Sequence, residues 1–192
     1  MKKLIGLKKT RSAVFISGTG SNLKNLIKFS NKKNFPISIE LIISNKKKAN
    51  GLKYSNEYKI KKKIVNFKNH KSAETKILKI LLKKKINFIC LAGFMKILSK
   101  NFIKNFRGKI INIHPSLLPK YKGLNTHARV IKNKENFSGC TVHFVTSKLD
   151  AGKIIMQEKV KITSKDSAFS LKRKILKKEH KIYPAAIRKI LN

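Results

Sequence analysis

The segment Ala13-Val-Phe-Ile-Ser-Gly-Thr-Gly-Ser-Asn22 decides the fold class of this chain. Its first four residues are apolar, which predicts a buried β-strand, and the segment from Leu23 to Phe29 has the pattern of a helix. Two glycines, Gly18 and Gly20, predict a tight turn between the strand and the helix. A strand that passes through a glycine turn directly into a helix is typical of α/β proteins.

The rest of the chain repeats the alternation of strands and helices. Apolar runs predict strands at residues 37–43, 63–67, 86–91 and 109–113, an amphipathic helix at 73–85, a loop at 115–125, two alternating strands at 141–145 and 153–162, and a terminal helix at 167–191 that is interrupted near Pro184. This order predicts a single-domain α/β fold with a mostly parallel twisted sheet, helices on both faces and late strands antiparallel. We expect residues 1–10 to form a short N-terminal tail before a domain of residues 11–192.

The chain is strongly basic, with 47 Lys+Arg against 8 Asp+Glu and a formal net charge of +39. A nucleic-acid-binding protein would favour arginine and interleaved aromatic residues, whereas this chain has 42 lysines, only 5 arginines and no tryptophan. Lysine, isoleucine and asparagine supply 85 of the 192 residues, and A/T-rich codons encode all three. We therefore interpret the charge as genome composition and expect no specific nucleic acid partner.

The sequence also bears on the cellular compartment. No apolar run approaches the roughly 20 residues of a membrane span, and the first residues lack an apolar stretch of signal-peptide length. Cys90 and Cys140 lie within apolar runs without metal-ligand spacing, which favours buried thiols in a reducing compartment. We expect a cytoplasmic protein with no membrane partner, and the oligomeric state stays open.

The glycine turn is a candidate phosphate site. Gly20, Ser21 and Asn22 lie where the strand passes into the helix, and the free backbone N–H groups of a helix amino terminus favour a phosphate. A dinucleotide fingerprint would place a glycine at position 23, where this chain has Leu23, so the pattern favours a smaller phosphate over NAD. A tight turn capped by Ser21 or Asn22 explains the segment equally well.

Asn112, His114 and Asp150 are candidate catalytic residues. Asn112 and His114 lie two positions apart near the carboxyl end of a predicted strand, so both project from the same side where open α/β sheets bind ligands. A carboxamide beside an imidazole can hold an oxyanion, although a structural histidine explains His114 equally well. Asp150 is one of only two aspartates, and an ordinary turn before Ala151 and Gly152 is its plainer interpretation.

Five segments occur together at a spacing that points to one family. They are Ile16-Ser-Gly-Thr-Gly-Ser-Asn-Leu23, Leu91-Ala-Gly-Phe-Met-Lys-Ile-Leu98, Ile111-Asn-Ile-His-Pro-Ser-Leu-Leu-Pro-Lys-Tyr121, Val142-His-Phe-Val145 with Leu149-Asp150, and Glu179-His-Lys-Ile-Tyr-Pro184. From about residue 12 to residue 187 the chain resembles the folate-dependent glycinamide ribonucleotide formyltransferases of purine synthesis. The resemblance implies a Rossmann-like formyltransferase fold.

The same resemblance implies the site residues. Its catalytic trio matches Asn112, His114 and Asp150. The ribonucleotide phosphate would bind Gly20, Ser21 and Asn22, and Glu179 would contact the ribose. The folate would contact a second set of residues, which consists of Met95, Lys96, Ile97, Leu98, Asn112, Thr146 and the loop from Thr146 to Asp150. Where many members have an arginine near the folate tail, this chain offers only His70 or Lys71.

The implied reaction is a one-carbon transfer between two small-molecule substrates, 10-formyltetrahydrofolate and 5-phosphoribosylglycinamide. The amine would attack the formyl carbon directly, and Asn112 with a protonated His114 would hold the tetrahedral oxyanion. Asp150 would keep His114 cationic and move the proton through a water. We expect neither a metal nor a covalent enzyme intermediate.

Three other functions remain open on the sequence: a 10-formyltetrahydrofolate hydrolase, a methionyl-tRNA formyltransferase, and a basic RNA-binding protein on the same scaffold. The hydrolase normally carries an additional amino-terminal domain, which we do not expect before residue 11. The tRNA enzyme usually has a carboxyl-terminal domain, and an Arg-Gly pair where this chain has Lys122-Gly123. Departures from the family pattern at Lys122, Asn125 and Ala151 bear on folate affinity more than on chemistry.

Overall fold

The structure, a computed structural model, describes residues 9–191. Its seven strands form a single sheet, and helices connect most of them. The strands are β1 (Thr10–Ile16), β2 (Ile37–Ser44), β3 (Lys61–Ile64), β4 (Phe88–Leu91), β5 (Lys109–His114), β6 (Phe137–Phe144) and β7 (Ile154–Lys161). The α-helices are α1 (Ser21–Ser30), α2 (Lys53–Glu57), α3 (His70–Lys83), α4 (Lys100–Asn105), α5 (Thr126–Lys132) and α6 (Ala168–Leu191), and a 3₁₀ turn covers Asn50–Leu52.

The order of strands across the sheet is β3-β2-β1-β4-β5-β6-β7. The first five strands of the chain pair in parallel, whereas β6 is antiparallel to β5 and β7 is antiparallel to β6. The predicted fold class, including the late antiparallel strands, is therefore confirmed. β2 and β4 lie on opposite sides of β1, so the order in which strands are added to the sheet reverses between β1 and β4. Ligands of open α/β sheets bind outside the carboxyl ends of the strands at such a point.

Helices cover both faces of the sheet, as predicted. Alternate residues of β1 point into two different core layers: Val14 and Ile16 pack with helices α1 and α6, while Ala13 and Phe15 pack with α3 and α4. All four side chains are fully buried. A strand segment that is buried on both faces needs apolar side chains on both faces, which explains the continuous apolar run of β1 from Ala13 to Ile16.

The third strand differs from its prediction at residues 63–67. Observed β3 begins at Lys61 and ends at Ile64, and all four of its residues are exposed on the edge of the sheet. The apolar Val65 and Phe67 that suggested the strand are buried beyond its end. Lysines on an exposed edge strand discourage pairing with other chains, so polar sequence is compatible with a strand here.

The terminal helix also differs, because α6 continues through Pro184 instead of being interrupted there. Proline lacks the N–H that would bond to the carbonyl four residues earlier, which is that of His180. This carbonyl instead accepts a hydrogen bond from Asn25 Nδ2 of α1, at 2.7 Å. The side chain of a neighbouring helix thus replaces the missing intrahelical bond.

Three short helices, α2, α4 and α5, were not predicted, since each has only five to seven residues. Residues 1–8 of the expected tail lie outside the described residues, and β1 already begins at Thr10, so the domain boundary stays a prediction. Within residues 9–191, no helix combines the length and the apolar character that a membrane crossing requires.

Candidate active site

The structure brings Asn112, His114 and Asp150 together at the carboxyl edge of the sheet. Asn112 and His114 belong to β5, and Asp150 lies in the loop between β6 and β7. His114 Nδ1 is 3.4 Å from Asp150 Oδ2, and the two side chains are only 7% and 8% exposed. An imidazole beside a carboxylate that is withdrawn from water is suited to stabilising charge and to moving a proton.

A fourth polar side chain, His143, completes this group. It lies directly opposite Asn112 in the antiparallel pairing of β5 with β6. Its Nδ1 is 2.8 Å from the carbonyl of Phe144, to which it donates, so Nε2 of the neutral ring is free to accept from Asn112 Nδ2 at 3.2 Å. Burial lowers the pKa of His143, which favours the neutral ring that this contact requires.

His143 was missed as a site residue, although it stands in one of the five quoted segments. Its position beside Asn112 depends on β6 pairing with β5, and nothing in the sequence specifies which strands are neighbours. Its Nε2 is also 3.7 Å from Asp150 Oδ1, so Asp150 lies between two imidazoles. A regular alternation in residues 141–145 is the signal that could have suggested an inward-facing histidine.

The turn of residues 121–124 holds the His114–Asp150 pair through backbone atoms. His114 Nε2 donates to the carbonyl of Tyr121 at 2.9 Å, and the backbone N–H of Gly123 donates to Asp150 Oδ2 at 2.9 Å. Because a carbonyl only accepts, this contact places a proton on Nε2, and Nδ1 is the ring nitrogen that faces Asp150.

Polar side chains hold in place the loop that runs from residue 115 to the turn of residues 121–124. Ser116 Oγ donates to the carbonyl of Lys120 at 2.7 Å, and Thr141 Oγ1 donates to the carbonyl of Ser116 at 2.7 Å. Gln157 Nε2 contacts both the carbonyl of Leu118 and Thr141 Oγ1 at 2.9 Å. These bonds tie the predicted loop to β6 and β7.

A cleft of about 400 Å³, open solvent included, lies beside Asn112 and Asp150. Its lining combines apolar with polar side chains, as sites for small organic ligands do. Its lining consists of Leu91, Phe94, Ile97, Leu98, Asn112, His143, Val145, Thr146, Lys148, Leu149 and Asp150. Among the predicted folate contacts, Ile97, Leu98, Asn112 and Thr146 therefore line this cleft, whereas Met95 and Lys96 are exposed on the same loop outside the lining.

His70 and Lys71, the candidates for the folate tail, point to different places. His70 Nε2 is 3.0 Å from the carbonyl of Ile97, and His70 Nδ1 is 3.5 Å from Glu74 Oε1. His70 therefore supports the rim of the cleft. Lys71 lines a separate groove beside α3. Three other lysines line the same groove, and they are Lys63, Lys76 and Lys79.

The glycine turn leads into the amino terminus of α1, and its role as a phosphate site stays a prediction. Gly20 precedes α1 with φ +72°, and a Cβ at this position would lie 2.6 Å from Gly51 Cα. No side chain caps the helix, so the alternative of a cap by Ser21 or Asn22 is not observed. The first intrahelical bond is from Lys24 N–H to the Gly20 carbonyl, which leaves the earlier N–H groups without a helical partner.

Glu179 of α6 reaches the same helix end. Its Oε2 accepts from Asn22 Nδ2 at 2.7 Å, and both residues are buried. Burial raises the pKa of Glu179 to about 7. Within residues 9–191, Asn22 Oδ1 is also buried and has no hydrogen-bond partner, so this corner holds polar groups that a ligand could satisfy.

Comparison with known proteins places the chain in a family. The family model described as formyl transferase matches residues 10–187, which is most of the chain. The chain belongs to the formyl transferase family. The resemblance inferred from the five sequence segments is thereby confirmed.

Formyl transferases from distant organisms are similar to the chain along nearly all its length. It is 41% identical to phosphoribosylglycinamide formyltransferase of Haemophilus influenzae over 179 residues, and this aligned segment covers 92% of this chain and 84% of the relative. It is 43% identical over 183 residues to the human trifunctional purine biosynthetic protein adenosine-3, of which it spans only 18%. The crystal structure of the Brucella melitensis phosphoribosylglycinamide formyltransferase is similar at a TM-score of 0.90, with 40% identity and 96% of both chains covered.

Proposed function

We propose that this formyl transferase transfers the formyl group of 10-formyltetrahydrofolate to the amine of 5-phosphoribosylglycinamide, in the de novo synthesis of IMP. The observation that carries the proposal is the buried His114–Asp150 pair, whose Asp150 lines a cleft together with Asn112. The similarity to the Haemophilus influenzae protein, which is named phosphoribosylglycinamide formyltransferase, supports the same acceptor and the same transferred group.

The ribonucleotide occupies the glycine turn in this proposal. Its phosphate accepts from the free N–H groups of Ser21, Asn22 and the residue that follows, and the helix dipole of α1 favours its negative charge. Gly20 allows close approach, because a side chain there has no room beside Gly51. Glu179 accepts from a ribose hydroxyl, and the unpartnered Asn22 Oδ1 offers a second acceptor in the same corner.

The folate occupies the cleft beside Asn112 and Asp150. Ile97, Leu98, Thr146 and Asn112 line it. Met95 and Lys96 lie on the exposed part of the same loop, where they contact the outer part of the cofactor. His70 contacts the Ile97 carbonyl at the rim of the cleft, and Lys71 lies in the separate groove beside α3. One of these two side chains attracts the glutamate tail in this proposal.

The reaction forms one C–N bond and breaks another. The substrate amine attacks the formyl carbon, and the carbonyl oxygen becomes an oxyanion that a free N–H of Asn112 and the cationic His114 stabilise. Asp150 accepts the proton of the attacking amine through a water and returns it to N10 of the folate. The C–N10 bond then breaks, which releases tetrahydrofolate and the formylated ribonucleotide, without a covalent enzyme intermediate.

The test follows formyl loss from 10-formyltetrahydrofolate with and without 5-phosphoribosylglycinamide. Formyl loss that requires the ribonucleotide and yields its formylated product supports the proposal. Equal loss in both reactions would indicate hydrolysis instead. No loss from a folded protein would overturn the proposal, and binding of tRNA and unrelated RNA would then be measured to separate the remaining alternatives.

A further inference from the structure

The turn that holds the His114–Asp150 pair has an unusual backbone. Tyr121, Gly123 and Asn125 all have positive φ, at 56°, 79° and 55°. Tyr121 is bulky, and a left-handed conformation persists at such a residue only where the surroundings impose it, whereas glycine and asparagine adopt it readily. Since His114 and Asp150 are held through main-chain atoms of this turn, the shape of the turn determines their separation.

Arg129 of α5 is the side chain that closes this turn. Its Nη1 donates to the carbonyl of Lys122 at 2.7 Å and is 3.4 Å from the carbonyl of Leu124. The guanidinium carbon also lies 5.3 Å from the centre of the Tyr121 ring. Among residues 9–191, no other side chain donates to these two carbonyls.

Arg129 is itself anchored by the helix that follows the turn. The next residue, Val130, is 1% exposed in the core, and Arg129 N–H bonds to the carbonyl of Asn125. The guanidinium therefore extends from a fixed helix over a strained turn. Nη1 makes both carbonyl contacts while the planar guanidinium lies over the Tyr121 ring. A lysine ammonium has N–H donors but no plane that could stack on the ring.

We propose that Arg129 is a positioning residue for the formyl transfer, which holds His114 and Asp150 at reacting distance through the backbone of residues 121–124. Arg129 contacts neither member of the pair, so its effect passes through the Tyr121 carbonyl and the Gly123 N–H. The catalytic consequence rests on the proposed function, whereas the structural effect on His114 does not.

The first test compares Arg129→Ala and Arg129→Lys with the control Arg107→Ala. Arg107 is exposed just before the amino-terminal end of β5, whereas Asn112 and His114 lie toward the carboxyl end of this strand. We expect kcat to fall about tenfold in Arg129→Ala, because small displacements of reacting groups are costly, while KM for either substrate changes less than about twofold. Arg129→Lys should recover only part of kcat. Added guanidinium should restore kcat in Arg129→Ala and have no such effect on the control.

The second test is independent of activity. In ¹⁵N spectra of the five histidines, the Nε2 proton signal of His114 reports its bond to the Tyr121 carbonyl. This signal should move or broaden in Arg129→Ala, return on addition of guanidinium, and stay unchanged in Arg107→Ala. An unchanged signal in Arg129→Ala would overturn the proposal, as would an unchanged kcat in an enzyme that transfers formyl normally. If wild-type protein transfers no formyl but the signal responds as expected, only the proposed function fails.

Discussion

Asn112 Nδ2 donates to His143 Nε2 at 3.2 Å, so the orientation of the Asn112 carboxamide depends on a buried, neutral imidazole. The other ring nitrogen of His143 already donates to the Phe144 carbonyl. A second proton on this ring, at Nε2, would place the N–H of His143 against the N–H of Asn112, and the Asn112 carboxamide would have to rotate. The contact therefore links proton concentration to the group that is proposed to hold the oxyanion.

The first prediction concerns pH and His143. Burial lowers the pKa of His143 below its ordinary value of about 6.5, so the unfolded chain binds this proton at a higher pH than the folded protein. The stability that the neutral ring contributes is present above about pH 6.5 and is lost as the pH falls through the lower folded pKa. We expect kcat to fall over the same acidic range.

His143→Gln tests this prediction, because its side-chain oxygen can accept from Asn112 but does not titrate. We expect a lower kcat than wild type at pH 7.5 and a shallower loss of kcat between pH 7 and pH 5. Denaturant unfolding over the same range should show a weaker pH dependence. Profiles of identical shape in the two proteins would contradict the link between His143 and Asn112.

The second prediction separates the chain's two aspartates. Asp150→Asn should lower kcat by about 10²- to 10⁴-fold, because the carboxylate that moves the proton is lost. Folding should be preserved, since asparagine tolerates the positive φ of 45° at this position and can still accept from Gly123 N–H.

Asp166→Asn is the matched control. Asp166 bonds to Thr163, Ser170 and Lys174 at the start of α6, which lowers the pKa of Asp166. Its loss should reduce thermal stability and leave kcat within about twofold of wild type. Retention of kcat by Asp150→Asn would instead show that another group moves the proton.

The third prediction concerns the glycine turn. Gly20→Ala combines a φ of +72° with a Cβ placed 2.6 Å from Gly51 Cα, so we expect a loss of about 1–3 kcal/mol in the free energy of unfolding. KM for the ribonucleotide should rise, since the turn must open. Gly18→Ala is the control for stability, because nothing lies within 4 Å of its Cβ. Equal stability of the two variants in denaturant titrations would argue against the close approach of Gly20 and Gly51.

The fourth prediction concerns the buried carboxyl of Glu179. Burial raises its pKa to about 7, well above the ordinary 4.5, so wild-type stability falls as the pH rises through this interval. Glu179→Gln stays neutral and can still accept from Asn22. It should therefore be more stable than wild type at pH 8, by on the order of 1 kcal/mol, with a smaller difference at pH 5.

The same variant should bind the ribonucleotide less tightly, because an amide oxygen is a weaker acceptor for a ribose hydroxyl than a carboxylate. Thermal unfolding at both pH values and KM for the ribonucleotide are the measurements. The exposed Glu57→Gln should change neither. A stability gain without any change in KM would remove Glu179 from the ribonucleotide site.

Local sequence predicted the parts of the fold that depend on neighbours along the chain. The run from Ala13 to Ile16, the glycine turn and α1 follow from apolar pattern and glycine content alone, and the two-residue spacing of Asn112 and His114 places both on one side of β5. His143 could not be found in this way, because its contact with Asn112 arises from strand pairing across 31 residues.

Two further features lie beyond local patterns for different reasons. The bond from His114 to Tyr121 involves a carbonyl, which every residue has, so the identity of residue 121 gives no indication of it. The strand at Lys61–Ile64 forms because its backbone pairs with Leu41–Ser44, while its side chains remain in water. Both features are specified by backbone geometry rather than by side-chain type.

The hydrogen bond from Asn25 to the His180 carbonyl has a consequence for how this sequence can evolve. Pro184 leaves this carbonyl without its helical donor, and the Asn25 carboxamide supplies a donor in its place. Replacing Pro184 alone would give the carbonyl a second donor within α6, whereas replacing Asn25 alone would leave the carbonyl without any donor. Positions 25 and 184 should therefore covary among related sequences, despite lying 159 residues apart, and the two helices that carry Asn22 and Glu179 would keep their relative alignment through that paired change.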